Sequence, residues 1–300
     1  MKIKLLTGSL LLLFFLHAVP GAAQIDEDRP LRIIAIFAHP DDGDIKMGAT
    51  AAMMADAGHH VKFLSLTSGN AGHHEQGGGA LAKRRRAEAV EAGARLGIME
   101  YTVLDYHDAE LEPKLHKRME VIRQIRQWNA DVVLGHRPND YHPDHRYAGI
   151  LVMDAAYMVI VPNIVTDVPA LDRNPVFLYM RDRFQRPYPF QHDIVVGIDE
   201  HYRSKKLDAL DAHESQVYEW LPWTVGLIDE VPEDPAKRRQ WLELIWGQPN
   251  IDEKVRERLQ YWYGEEAADE FEFAESFEVA EYGHQPDRNE IRRIFPMLPD

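Results

Sequence analysis

The sequence contains no cysteine, and that absence excludes disulfides, thiolate metal sites and a cysteine nucleophile. Any bound metal must therefore be held by nitrogen and oxygen. Long apolar runs are scarce as well. The most prominent, Leu5 to Leu16, is too short to span a bilayer comfortably, and no cysteine follows it to carry a lipid anchor. Basic stretches are few: Lys83 to Arg86 is the only run, and it reads as a solvated helix end. With a formal net charge of −15, the chain is a poor match for nucleic acid or any other polyanion, and a neutral or cationic substrate fits better. No internal repeat or low-complexity tract is visible.

What is present begins with a targeting pattern. Lys2 and Lys4 precede the apolar run, and small residues from Ala18 to Ala23 follow it, the n-, h- and cleavage regions of a secretory signal. The expectation is a cleaved signal peptide over 1–23 and an exposed leader over 24–30. The mature protein would then be secreted or periplasmic, without a permanent membrane anchor. The remaining length is enough to bury a substantial core.

From Leu31 onward, apolar runs alternate with segments of helical period, the pattern of a βαβ protein. Strands are expected at 31–38, 61–67, 101–104, 131–135, 176–180 and 194–198. Helices are expected at 44–58, 82–97, 115–128, 143–158 and 202–213. Pro143 suits the first position of its helix, where a missing N–H costs nothing. Trp128 and the pair Met47 and Met54 have core spacing, whereas His59 and His60, just past a helix end, read as solvent-facing. Beyond Pro232 two charged helical segments follow, at 236–246 and 253–263. An acidic aromatic stretch comes next, in which Phe271, Phe273, Phe277 and Val279 fit either a strand or a helix.

Two polar segments stand directly after expected strands. One is Ala38-His39-Pro40-Asp41-Asp42; the other runs from His136 through Asn139, Asp140, Tyr141, His142, Pro143 and Asp144 to His145. In an open parallel sheet, ligands bind beyond the carboxyl ends of strands, so two such segments can converge on one crevice. His-x-x-Asp and His-x-x-His are plausible ligand spacings, and two imidazoles with one carboxylate leave positions open for water and substrate. A lone His-x-x-His is usually coincidence in a histidine-rich chain. Here both segments are proline-stiffened, acidic and strand-terminal together, which favours a metal site.

These residues resemble the PIG-L/LmbE family of zinc-dependent de-N-acetylases, which remove acetyl groups from N-acetylglucosamine conjugates. Weaker matches accompany the two His-Pro-Asp segments: Arg85-x-x-Glu88, Ala92, Leu96-Gly97, Asp108, and Ala212-His213-Glu214-Ser215-Gln216. The resemblance covers about Leu31 to Gln216. It implies that His39, Asp42 and His145 bind the metal and that Asp41 is the general base on the attacking water. His142 would stabilise the oxyanion and protonate the leaving nitrogen, with Asp144 holding its other ring nitrogen. Arg85 and Asp108 would hold substrate hydroxyls, and Tyr141 would reach towards the oxyanion. The family often continues His-Pro-Asp-Asp with Glu. This chain has Gly43 and then Asp44, which either compensates or caps the following helix.

The resulting expectation is an α/β domain over 31–228, three-layered and Rossmann-like with a mostly parallel sheet. A C-terminal helical extension over 229–300 would pack on it. The activity implied is hydrolysis of the acetamide of an N-acetylated amino sugar with Zn2+ as cofactor, although the same donors suit Fe2+ or another divalent metal. The alternatives are an amidase on a non-sugar acetamide and a secreted, metal-containing glycan-binding protein without turnover. Other candidates are mixed. His73 and His74, in a glycine-rich loop, are equally well read as substrate contacts or as loop polarity. His213 reads as a neighbour of the metal site or a structural histidine. Tyr218, Trp220 and Trp223 read first as packing for the C-terminal segment and second as a glycan platform.

Overall fold

The computed structural model describes residues 29–299; the expected signal peptide and leader residues 24–28 lie outside the described residues. Arg29, at the end of the leader, is not free: its Nη1 donates to the buried Asp131 at 2.8 Å. Among the described residues no helix is long and apolar enough to cross a membrane.

The strands are β1 (Arg32–Phe37), β2 (His60–Thr67), β3 (Glu100–Tyr106), β4 (Val132–Gly135), β5 (Val176–Met180), β6 (Ile194–Ile198) and β7 (Phe273–Gly283). They form one sheet in the order β3-β2-β1-β4-β5-β7-β6. β7 runs antiparallel to both neighbours, and every other pairing is parallel. The principal helices are α1 (Asp42–Asp56), α2 (Gly78–Leu96), α3 (Leu115–Trp128), α4 (Pro143–Met158) and α5 (Glu200–Ala212). They are followed by α6 (Leu221–Thr224), α7 (Pro235–Trp246) and α8 (Glu253–Tyr263).

β1 shows why the runs read as buried strands. Ile33, Ala35 and Phe37 pack into one core with Met47 and Met54 of α1, while Ile34 and Ile36 pack into another with Val121 and Ile125 of α3. A strand covered on both faces has no polar side to alternate with, so it is apolar throughout. Helices on both faces of the sheet make the three-layer α/β architecture. Trp128 is buried as its spacing requires. His59 is not solvent-facing: its Nδ1 accepts the Leu31 N–H at 3.3 Å and its Nε2 donates to the Arg293 carbonyl at 3.1 Å, tying β1 to the C-terminal segment.

The C-terminal segment does more than pack on the domain. Its ambiguous aromatic stretch is β7, which lies inside the sheet and pairs Leu178 with Val279 on one side and Val195 with Ser276 on the other. The boundary expected at 228/229 therefore does not divide the fold. Its helices pack as well, Trp241 and Leu242 of α7 against Leu207 and Leu210, and Val255 and Leu259 of α8 against Val195.

The chain runs outward from β1 through β2 to β3, then returns to β4 on the other side of β1. β1 and β4 are thus the switch point of the sheet, where ligand crevices form.

Candidate active site

Ile36 pairs with Gly135, so β1 and β4 end level and their following segments emerge side by side. After β1, the Asp42 carboxylate accepts the His39 N–H at 2.8 Å and closes the His-Pro-Asp-Asp turn. After β4, His142 is the N-cap of α4 and Pro143 its first residue, which places His145 within the first helical turn.

This geometry brings His39, Asp42 and His145 together. His39 Nδ1 lies 3.2 Å from His145 Nε2 and 3.6 Å from Asp42 Oδ2, and His145 Nε2 lies 3.3 Å from Asp42 Oδ1. Donors about 2.0–2.1 Å from a tetrahedral ion stand about 3.3 Å from one another, so the spacing fits zinc-type coordination. The remaining ring nitrogens face carboxylates: His39 Nε2 lies 3.0 Å from Asp108, and His145 Nδ1 lies 3.0 Å from Asp140. Metal-binding histidines typically use such partners to fix their tautomer.

The electrostatics agree. Burial lowers the proton affinity of His39, but hydrogen bonds to Asp108, Asp144 and Asp42 outweigh it and hold the ring well above the usual histidine range. His145 is likewise disfavoured by burial yet pushed up to about 9 by Asp42 and Asp140. Carboxylates that draw protons onto two facing imidazoles create a demand for positive charge, and a divalent cation satisfies it. The cluster has the donors to hold a metal ion.

Asp41 lies alongside, buried, with Oδ1 3.1 Å from Arg85 Nη2. Burial raises its pKa, against the opposing charge of Arg85. Arg85, expected to hold a substrate hydroxyl, is only 2 % exposed, and its guanidinium is engaged by Asp41 and by the carbonyls of Gly69 and Pro40. It positions Asp41. The reading of Lys83 to Arg86 as a solvated run thus fails at Arg85; Lys83 is exposed, and Arg84 and Arg86 are partly exposed in ion pairs with Glu219 and Asp105. Asp108, expected on a hydroxyl, turns one oxygen to His39. Tyr141 is 70 % exposed at the rim, edge-on to His142 and His145.

The expected pairing of His142 with the Asp144 carboxylate is not formed. Asp144 turns beneath α4 and accepts the N–H groups of Ala109 at 2.7 Å and Leu111 at 3.1 Å, with Oδ2 3.5 Å from His39 Nε2. His142 Nδ1 instead accepts the backbone N–H of Asp144 at 3.2 Å, as the helix cap. The residue at 144 does fix the His142 tautomer, through its main chain rather than its side chain.

Several contributors had no assigned role. His136 stacks on His145 with ring centroids 4.4 Å apart, and its Nε2 lies 3.2 Å from Asp42. Burial and the nearby His145 push its pKa down to about 4, which keeps it neutral. Asp140 holds His145; its signal was its place between β4 and the His-Pro-Asp-His segment. Asp44 is no helix cap. It is fully buried, accepts a hydrogen bond from Tyr101 at 2.9 Å and stands 3.1 Å from His213 Nε2, which makes His213 a buried support behind the turn. The two weak motifs meet each other: Glu88 accepts from the Ser215 hydroxyl at 2.6 Å and its N–H at 3.0 Å. At Gly43 a Cβ would stand 2.4 Å from Phe37 and 2.9 Å from Phe63, so no side chain, glutamate included, fits there as these rings are packed.

The cluster opens into a cavity of about 380 Å³, lined by Asp41, His142, Gln216 and Trp220 among others. Gln216 and Trp220 belong to a π-helical stretch, Ser215–Trp220, a distortion frequent at functional sites. Of the aromatic trio, Tyr218 packs under α7 while Trp220 reaches the cleft. Trp223 stacks on His74 at 5.3 Å and on Trp220 at 5.2 Å, and His74 in turn stacks on His73. The glycine-rich loop is thereby strapped over one wall.

The sequence and fold match known proteins. The model of the family described as PIG-L, GlcNAc-PI de-N-acetylase, matches residues 34–156. A diacetylchitobiose deacetylase of Thermococcus kodakarensis is 31% identical over 64% of this chain and 73% of its own length. A probable N-acetyl-alpha-D-glucosaminyl L-malate deacetylase of Bacillus cereus is 27% identical over 71% of this chain and 94% of its own length. Among solved structures, N,N'-diacetylchitobiose deacetylase from Pyrococcus horikoshii superposes with a TM-score of 0.61 at 24% identity, covering 83% of each chain.

Proposed function

Because the chain belongs to the PIG-L family of de-N-acetylases, we propose that it hydrolyses the acetamide of an N-acetylated amino sugar, a GlcNAc-type glycan or conjugate, and releases acetate. His39, Asp42 and His145 hold a divalent metal, zinc by preference, and Asp41 is the general base. The observation that carries this reading is the meeting of a three-donor cluster with 3.2–3.6 Å spacings and a separate buried carboxylate, Asp41, in one cleft. A binding protein needs the first and has no use for the second.

An amide resists water because its carbonyl is weakly electrophilic and its amine leaves poorly. A divalent metal in such a cluster supplies Lewis-acid polarisation of the carbonyl and acidifies water. Asp41 takes the proton as water attacks, held in line by Arg85. His142 accepts the Asp144 N–H on Nδ1, so its neutral ring carries the proton on Nε2. That N–H donates to the developing oxyanion, and the proton that Asp41 took from water passes to the departing amine, so that Asp41 and the neutral His142 ring are both restored. Asp108 and Asp140 fix the rings of His39 and His145. Asp108→Ala is therefore expected to weaken metal affinity roughly 10- to 100-fold, read by competition with a chelator. An unchanged affinity would remove Asp108 from this role.

The targeting pattern ahead of residue 24 supports export, so the proposed substrate is an extracytoplasmic glycan and the proposed location secreted or periplasmic. The test is metal analysis of the purified protein combined with acetate release from a panel of N-acetylglucosamine oligomers, conjugates and non-sugar acetamides. About one divalent ion per chain and release confined to the amino sugars are expected. A metal-loaded protein that releases no acetate would make it a binding protein, and release from non-sugar acetamides alone would make it another amidase.

A further inference from the structure

We infer that Trp220 is a stacking platform for the pyranose ring of the substrate, held in place by a column of four aromatic rings that ends in the cleft. This deepens the amino-sugar reading above and rests on it. The column runs His73, His74, Trp223, Trp220, with successive ring centroids 4.6, 5.3 and 5.2 Å apart and ring planes within 15° of parallel. Offset stacks of that spacing are favourable, and each ring restrains the next. Of the four, Trp220 alone lines the cavity of about 380 Å³ that holds the metal cluster.

The column is fixed at its far end. His73 Nδ1 accepts the N–H groups of Glu75 at 3.0 Å and Gln76 at 3.1 Å, which leaves the proton on Nε2, and that atom donates to Glu219 at 2.8 Å. Glu219 in turn takes two hydrogen bonds from Arg84 of α2, at 2.7 and 2.6 Å. A second tie joins the same segments, Gln216 Nε2 to the Gly72 carbonyl at 3.1 Å. Gln216 and Glu219 both belong to the π-helical stretch that ends at Trp220, so the wall carrying the indole is anchored twice. A preorganised surface loses little freedom when a ligand settles on it.

The half-buried indole offers what a sugar ring can match. A pyranose is polar at its hydroxyl edges, but its faces are made of C–H bonds that carry slight positive charge from the adjoining oxygens. Such a face suits the electron-rich face of an aromatic ring. The two residues expected to hold the sugar by its hydroxyls are engaged within the protein, Arg85 by Asp41 and Asp108 by His39. The aromatic wall is then left to orient the ring. Packing of the glycine-rich loop alone would need Trp223, but not a further ring bordering the cavity.

The test is calorimetric binding of two product-like probes to the metal-loaded protein. One is methyl glucosaminide; the other is glucosaminitol, which carries the same amine on an open chain and has no ring face. Wild type should prefer the ring-closed probe. In Trp220→Leu, which keeps apolar bulk against Trp223, affinity for that probe is expected to fall roughly 3- to 10-fold, with the open-chain probe within about twofold of wild type. Trp220→Phe should recover most of the loss. His74→Ala, outside the cavity, should weaken the ring-closed probe alone by about 2- to 3-fold, because the column loses a member. For methyl N-acetylglucosaminide, KM should rise in Trp220→Leu with kcat within about twofold. No ring preference in the wild type, an unchanged affinity in Trp220→Leu, or an equal loss for both probes would overturn the inference. If the leucine variant does not fold, His74→Ala decides by itself, and no ring-selective loss there overturns it. Acetate release separates the two readings. Wild-type turnover without a ring-selective loss leaves the deacetylase and removes the platform, while a ring-selective loss without turnover does the reverse.

Discussion

Asp41→Asn is expected to lower kcat by roughly 100- to 10,000-fold while bound metal and KM stay near wild type. The amide is isosteric with the carboxylate, and its oxygen can still accept from Arg85, which lies 3.1 Å away, so the turn should keep its shape. Asp42 points to the cluster through its own side chain and accepts the His39 N–H, and neither contact involves Asp41. What disappears is a group able to take a proton from attacking water. Burial raises the proton affinity of Asp41 against Arg85, which moves a carboxylate towards useful basicity. The measurement pairs steady-state acetate release with metal content. Retained turnover would dismiss Asp41 as the base, and loss of metal would make it a ligand.

Which parts of this site were legible beforehand follows from how local each signal is. His39, Asp41, Asp42, His142 and His145 sit in two short proline-stiffened segments at strand ends, so their convergence follows from the sheet itself. The supporting contacts are not local. Asp108 reaches His39 across 69 positions and Arg85 reaches Asp41 across 44, and no spacing rule says which buried polar group a long side chain will choose. His142 and Asp144 show the opposite trap. Two positions apart, they invite a side-chain pairing, yet the helix start gives the His142 ring a backbone N–H that lies nearer in geometry. Gly43 becomes intelligible only with Phe37 and Phe63 in place.

The fold shows the same division. Helices α3, α4 and α8 and strands β5 and β6 lie where the apolar period and caps predict. β7 was ambiguous because its inward faces are not purely apolar. Phe273, Phe277 and Val279 share a face with Glu275, and Ala274 and Ala280 share the other with Glu278. Both glutamates are buried, Glu275 against Lys206 at 2.8 Å and Glu278 against the Gln191 N–H at 2.8 Å. Buried charge in a strand erases the period-two signal, and only the tertiary partners explain why it is tolerated.

A chain ending at residue 228 is expected to yield no cooperatively folded protein, although it retains every proposed ligand and catalytic residue. β6 reaches the sheet only through β7, and β5 would lose Val279, Glu278 and Phe277 as its partners. Two strands would expose unpaired backbone at once, an invitation to edge-to-edge aggregation. The loss also reaches the site. α1 departs from helical geometry at Met47, and just beyond that break the Glu275 carboxylate accepts the N–H groups of Thr50 at 2.7 Å and Ala49 at 3.3 Å. Glu275 thus caps a helix start inside α1, the helix that carries Asp42, and holds α5 through Lys206. Without it those donors and that ammonium would lose the partner that joins α1, α5 and the sheet. Urea unfolding of the truncated chain, followed by circular dichroism and size-exclusion chromatography, decides the matter. A monomer with a sigmoidal transition would mean that the first 228 residues fold by themselves and that β7 only decorates the sheet.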